Sequence, residues 1–162
     1  MALTRQEARE VLDTYIRAWE SQDPGLIVTI FTEDATYHER VLEDPIPDRT
    51  AIRDYWQSKV VESQANIKVQ LLSVYLDGET VIAEWEAEFD DVVQGVRKRM
   101  REIAVLVFEG ALISNLREYW ASEQIGQAEK LAPADLAGYL RVWSSSVPRR
   151  PAQGCCRPDL AR

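Results

Sequence analysis

Apolar positions along this chain change period partway through. Up to Val60 they recur every three or four residues, and from Ile67 to Trp120 they alternate with polar ones. Thr4-Arg5-Gln6-Glu7 is a capping box, with Thr at the cap and Glu three residues on. Ala8, Val11, Leu12, Tyr15 and Trp19 follow at helical spacing and predict a first helix with one apolar stripe. Asp23-Pro24 reads as a cap with proline in the first helical position. Leu26, Ile27, Ile30 and Phe31 form the inner face of the short helix it starts, and Ala35–Glu39 reads as a short strand. Pro45 and Pro47 make Arg40–Arg49 a loop, and Thr50 reads as the cap of a third helix with Ile52, Tyr55, Trp56 and Val60 on one face.

The alternating half predicts strands. Ile67, Val69 and Leu71 alternate on one parity and Val74 and Leu76 on the other, so a bulge is expected near Leu72-Ser73. Asp77-Gly78 is a hairpin turn. Over Thr80–Asp90, Val81, Ala83, Trp85, Ala87 and Phe89 share one face, and Glu84, Glu86 and Glu88 the other. A turn at Val93–Gly95 then sets Glu88 against Arg99, Glu86 against Arg101 and Asp90 against Arg97 on a solvated face. The same register sets Trp85 beside Glu102 on the buried face. Glu109-Gly110 turns the chain into a last strand, Leu112–Trp120. Helices followed by a run of antiparallel strands is an α+β pattern. Beyond it, Pro133 begins a helix with Leu136, Leu140 and Trp143 on one side, and the Ser-, Pro- and Arg-rich stretch from Ser144 reads as disordered. The organisation expected is a domain over 1–125, an added helix over 126–143 and a disordered basic tail over 144–162.

Composition narrows the function classes. The 162 residues carry a net charge of −8, and the tail's four arginines leave the body more acidic still, which repels phosphate backbones and argues against a nucleic-acid partner. The longest apolar run, Ile103–Phe108, is too short to span a bilayer, and Met1–Glu10 lacks the apolar core of a secretory signal, so the expected compartment is the cytoplasm. His38 is the single histidine, and Cys155 and Cys156 are adjacent in the tail, so no zinc-ligand spacing exists and no cofactor is expected. Five tryptophans suit the walls of a pocket for a small apolar or aromatic ligand.

The Tyr15–Trp19 helix, FTEDATYHE at Phe31–Glu39 and FEGALISNLREYW at Phe108–Trp120 together resemble the nuclear transport factor 2-like superfamily, in particular its SnoaL-like and ketosteroid-isomerase-like members. The resemblance covers Arg5–Glu123. It implies a cone: a strongly curved antiparallel sheet wrapped over the helices around one cavity, in a chain that forms homodimers. It implies that Tyr15 holds the position of the oxyanion-donating tyrosine, Glu39 that of the proton-moving carboxylate, and Trp120 that of a cavity-lining aromatic. Ala104 stands where the isomerases keep a protonated aspartate, and Phe31 and Trp56 where tyrosines extend the network. Ala121 stands where the cyclases carry an acid.

By strand parity Glu102 and Glu118 can each supply a carboxyl to the cavity, Glu102 in compensation for Ala104, while His38 has the opposite parity to Glu39. The residues assigned to chemistry are therefore Tyr15, Glu39 and Glu102. Those assigned to substrate contact are Trp19, Tyr37, Tyr55, Trp56, Trp85, Glu118 and Trp120. Two functions are expected of such a pocket. One is cofactor-independent isomerase, cyclase or lyase chemistry on a carbonyl-containing ring compound. The other is ligand binding or an accessory role without turnover. An epoxide hydrolase of the limonene type needs an Asp-Arg-Asp relay, for which the inward positions here offer glutamates.

Overall fold

The computed structural model describes residues 3–129. The expected Pro133–Trp143 helix and the tail with Cys155 and Cys156 lie outside the described residues. Helix α1, Arg5–Glu20, starts at the Thr4–Glu7 capping box and buries Ala8, Val11, Leu12, Tyr15, Ala18 and Trp19. Helix α2 is a single turn, Pro24–Ile27, continued by a 3₁₀ turn, Val28–Ile30. Asp23 Oδ1 accepts from the backbone N–H groups of Gly25 and Leu26, both at 2.9 Å. So short a helix has little besides this cap to fix its start. Asp23→Ala is expected to cost about 1 kcal/mol, read as a fall in the urea midpoint with the slope unchanged. An unmoved midpoint would show that packing of Ile27 alone holds the turn.

Strand β1 spans Phe31–His38, longer than the alternation alone suggested, and β2 is a two-residue strand, Ile46–Pro47, inside the expected loop. Helix α3 runs Asp48–Trp56 and ends in a π turn, Gln57–Val61. It begins two residues before Thr50, because Asp48 Oδ1 takes the Ala51 N–H and does the capping from inside the first turn. Strands β3 (Gln64–Asp77), β4 (Thr80–Asp91), β5 (Val96–Glu109) and β6 (Leu112–Gln127) complete a sheet of order β2-β1-β6-β5-β4-β3. All pairs are antiparallel except β1 with β6, which is parallel because the whole of α3 to β5 intervenes between them. Strand β6 continues seven residues past Trp120 along β5.

The bulge in β3 falls between Leu71 and Ser73, and the β4–β5 register sets Glu88 against Arg99, Glu86 against Arg101 and Trp85 against Glu102. The outer face carries the ion pairs: Arg101 reaches Glu86 at 2.7 Å and Glu84 at 3.2 Å, and Arg99 reaches Glu88 at 3.2 Å. Each is partly exposed to solvent, whose screening leaves such a pair little net effect on stability. Asp90 corrects the expectation of a solvated ladder. It faces Arg97 but is buried, and it also accepts from Asn66 Nδ2 at 2.6 Å and the Glu129 N–H at 3.2 Å. Burial pushes its carboxyl up, yet these donors and Arg97 outweigh burial and hold it below the ordinary aspartate range. No helix among the described residues is long and apolar enough to cross a membrane.

The fully buried side chains Trp85, Trp56, Tyr15, Phe31 and Leu12 come from α1, α3, β1 and the inner face of β4, so the core lies between helices and sheet. The helices do not fill that space completely, and the gap they leave is faced by aromatic, apolar and acidic side chains.

Candidate functional site

The gap is a cavity of about 360 Å³ whose lining includes Tyr15, Tyr37, Tyr55, Glu39, Glu102 and Glu118. Tyr15 enters from the buried stripe of α1, Tyr37 from the inner parity of β1, and Glu102 and Glu118 from the inner parity of β5 and β6. Across β5–β6, Ala104 is opposite Glu118 and Glu102 is opposite Trp120. The two glutamates are therefore diagonal neighbours on one face. The small side chain of Ala104 stands directly across from Glu118.

Glu118 is the hub. Its Oε1 accepts from the Tyr15 hydroxyl at 3.0 Å and from the Tyr37 hydroxyl, and the two hydroxyls are 3.0 Å apart. Among the described residues no cation pairs with either glutamate; the nearby Arg117 turns to Asn115 instead. Burial drives Glu118 up to about 7 even though the two phenols pull it down, with the charge of Glu39 adding to the rise. Glu102 is raised well above the glutamate range, first by burial and then by the Glu118 charge beside it. Its Oε1 closes no hydrogen bond of good geometry, although the Trp85 indole N–H and Glu118 lie close enough to act on its ionisation. A proton held by Glu102 and directed to Glu118 satisfies that oxygen. Tyr15 and Tyr37 are raised far above 10 by burial and then by Glu118, so both remain neutral donors.

Aromatic rings make the walls. Tyr15 stacks on Trp85 with centroids 5.0 Å apart, and stands nearly perpendicular to Trp56 at 5.4 Å and to Trp19 at 6.4 Å. Tyr37 meets Tyr55 at 5.4 Å, and burial followed by the Glu118 and Glu39 charges raises the Tyr55 phenol as well. Trp19 gives its N–H to Gln64 at 2.9 Å, whereas the buried N–H groups of Trp56 and Trp85 find no partner among the described residues. Trp120 donates to the Glu39 carbonyl at 3.2 Å and carries the Arg40 guanidinium 5.2 Å above its ring, which fixes the chain leaving β1 at the mouth. Glu39 itself is only half-buried there.

The tyrosines and carboxylates named from sequence thus converge, but around a different centre. Glu118, assigned there to substrate contact, holds the network that Tyr15 was expected to organise. Tyr37 joins it directly and Tyr55 packs its ring on Tyr37, whereas the resemblance puts the extending tyrosines at Phe31 and Trp56. Strand parity already pointed Tyr37 and Glu118 inward; nothing in the sequence brought β1 against β6. His38 does not line the cavity, and Ala121 is exposed. Among the described residues no three His, Cys, Asp or Glu side chains are grouped to hold a metal ion.

A curved six-stranded sheet closing with three helices on an aromatic, acid-lined cavity defines a nuclear transport factor 2-like protein. The chain belongs to the SnoaL-like domain family, whose model matches residues 12–116. Two solved structures share the fold. One is the epoxide hydrolase/cyclase-like enzyme SalBIII, described as acting in pyran ring formation in the polyether salinomycin. It is 24% identical with a TM-score of 0.65, covering 74% of this chain and 97% of that one. The other is a hypothetical protein of ketosteroid-isomerase-like fold from Catenulispora acidiphila, in complex with trimethylamine. It is 20% identical with a TM-score of 0.61, covering 68% of this chain and 84% of that one. No curated protein matches the sequence.

Proposed function

We propose that this protein is a cofactor-independent isomerase or cyclase that moves a proton on a carbonyl-containing ring compound. The observation that carries the reading is the diagonal pair Glu102–Glu118, two inward carboxyls without a cation among the described residues, one holding two phenols and the other none. Environments that separate the two carboxyls assign them opposite roles, a base and an acid. Glu118, ionised near neutral pH, takes a proton from the carbon next to the carbonyl. As it is neutralised its hydrogen bonds to Tyr15 and Tyr37 weaken, since charged acceptors bind donors more strongly than neutral ones. One phenol is then released toward the enolate oxygen at the moment charge develops there. Glu102 keeps its proton as the neutral acid of the site. Return of the proton from Glu118 to a different atom completes an isomerisation or closes a ring.

Glu39 at the mouth is the second carboxylate able to reach a substrate, and its charge raises Glu118. The outer sheet face, where Tyr75, Ile82, Ile103 and Tyr119 are exposed beside the Glu/Arg ladder, is the surface we assign to a second copy. A binding role without turnover is the other reading. It is favoured by one observation, that both phenols are already engaged by Glu118 rather than free for a ligand oxygen.

Deuterium exchange separates the two. A panel of cyclic ketones and enones, incubated with the protein in D₂O and followed by proton NMR, is expected to lose α-hydrogen signal faster than in buffer, with no cofactor added. If no member exchanges above the buffer rate while some still bind, the binding reading stands and the catalytic one falls.

A further inference from the structure

One edge of the cavity mouth is an anchored strip of chain, from the π turn Gln57–Val61 to Gln64 at the start of β3. Turns of this kind are rare and occur most often at functional sites. Gln22, at the junction of α1 and α2, holds the strip by donating its Nε2 to the Val60 and Gln64 carbonyls at 2.8 and 2.7 Å. Its own backbone sits in the left-handed region at φ 52°, a strain of about 1 kcal/mol that persists where the surroundings fix it. Two lining side chains on this strip have donor capacity left. The Trp19 indole N–H donates to Gln64 Oε1 at 2.9 Å; an indole can only donate, so the N–H₂ end of that amide is the end without a partner among the described residues. Lys59 lines the cavity from the π turn and makes no ion pair among the described residues. The other mouth cations are occupied, Lys98 on Asp91 at 2.8 Å and Arg40 over Trp120. Glu62, the acid nearest in sequence, lies outside the lining and accepts from Gln57 at 3.3 Å. The described residues include three lysines, and two of them, Lys59 and Lys98, line this one cavity of an acidic chain. A cation so placed draws anions to the mouth.

We propose that this edge is a carboxylate subsite, in which Lys59 supplies the charge and the Gln64 amide a directed hydrogen bond. Glu102 and Glu118 at the floor disfavour an anion, so a ligand carboxylate stays at the edge and the uncharged ring enters the cavity. With the cavity as the substrate site, on which this depends, the substrate class narrows to ring ketones that carry an acid group.

The compound 4-oxocyclohexane-1-carboxylate and its primary amide share one ring ketone and differ in charge. Calorimetric titration of the full-length protein with each, at low salt, is expected to show the acid binding about tenfold tighter, the size of one charge-assisted hydrogen bond. Raising the salt to about 0.5 M should erode most of that preference, because Lys59 is exposed to solvent. Lys59→Gln alters only an exposed side chain and is expected to fold and to bring the two ligands within about twofold of each other. Lys59→Glu is expected to favour the amide. Lys68→Gln removes the same charge from a lysine outside the lining and should leave the preference intact, which separates a local contact from net charge. Equal or tighter binding of the amide, a preference that survives Lys59→Gln, an equal loss in Lys68→Gln, or no binding of either compound would overturn the proposal. The exchange assay on neutral ketones involves no acid group, so the acid–base reading stands or falls separately.

Discussion

Glu118→Gln is expected to lower turnover by about 10²–10⁴-fold, the range over which a positioned general base acts. The substitution keeps the shape and the acceptor for Tyr15 and Tyr37 and removes only the charge and the proton site. Wild-type rate should rise with pH through about 7, as Glu118 ionises. In the variant that limb disappears. Stability moves the opposite way. The folded-state value lies above the unfolded value near 4.3, so the native protein holds this proton more tightly than the unfolded chain. The stabilisation is complete below about pH 4 and is lost as pH climbs through 7, on the order of 3 kcal/mol in all. Above pH 7 the glutamine variant should therefore be the more stable protein in urea, while being the poorer enzyme. Loss of activity with gain of stability is a combination that simple structural damage does not give. If Glu118→Gln stays within threefold of wild type and Glu39→Gln carries the large loss, the proton is moved at the mouth and not at the buried pair.

Much of the frame could be read from local pattern. The parity of Glu84, Glu86 and Glu88 against Arg99 and Arg101 set the β4–β5 register correctly, because a one-residue slip would have turned Trp85 and Phe89 outward. The Leu71–Ser73 bulge was legible for the same reason, as a change of parity within one strand. What could not be read is contact between elements far apart in sequence. The Tyr37–Glu118 and Tyr15–Glu118 bonds join residues 81 and 103 positions apart, across a parallel strand pair and a helix placement that periodicity does not encode. Glu118 therefore looked like one inward glutamate among several. Asp90 was misplaced for a related reason. Its partners Asn66 and Glu129 come from strand ends that fold over it, and alternation along β4 alone leaves it on the solvent side.

Trp85→Ala is expected to cost about 3–5 kcal/mol of stability, although Trp85 packs behind Tyr15 and does not itself line the cavity. Trp85 has no exposed surface, so truncation leaves a void that strands β3 to β5, held by their ladders, cannot close. Its indole stacks on Tyr15 at 5.0 Å, and an aromatic pair of this kind adds about 0.5–1.5 kcal/mol to simple burial. The loss also reaches the site. Without the stack, the Tyr15 ring is held only edge-on by Trp19 and Trp56, and its hydroxyl is less firmly placed on Glu118. Trp85→Phe is the informative comparison. It keeps a ring under Tyr15 and deletes the one indole N–H that acts on Glu102, a donor that closes no good hydrogen bond in any case. Removing an unsatisfied buried donor regains part of its desolvation cost, so the phenylalanine variant should lose about 1–2 kcal/mol, well short of the alanine variant. Glu102 should hold its proton to still higher pH, because the N–H that favoured its ionised form is gone. Urea unfolding of the two variants side by side checks the ranking. Equal losses would mean that the indole N–H does bond Glu102 and that the acid of the pair is held by Trp85 rather than by Glu118.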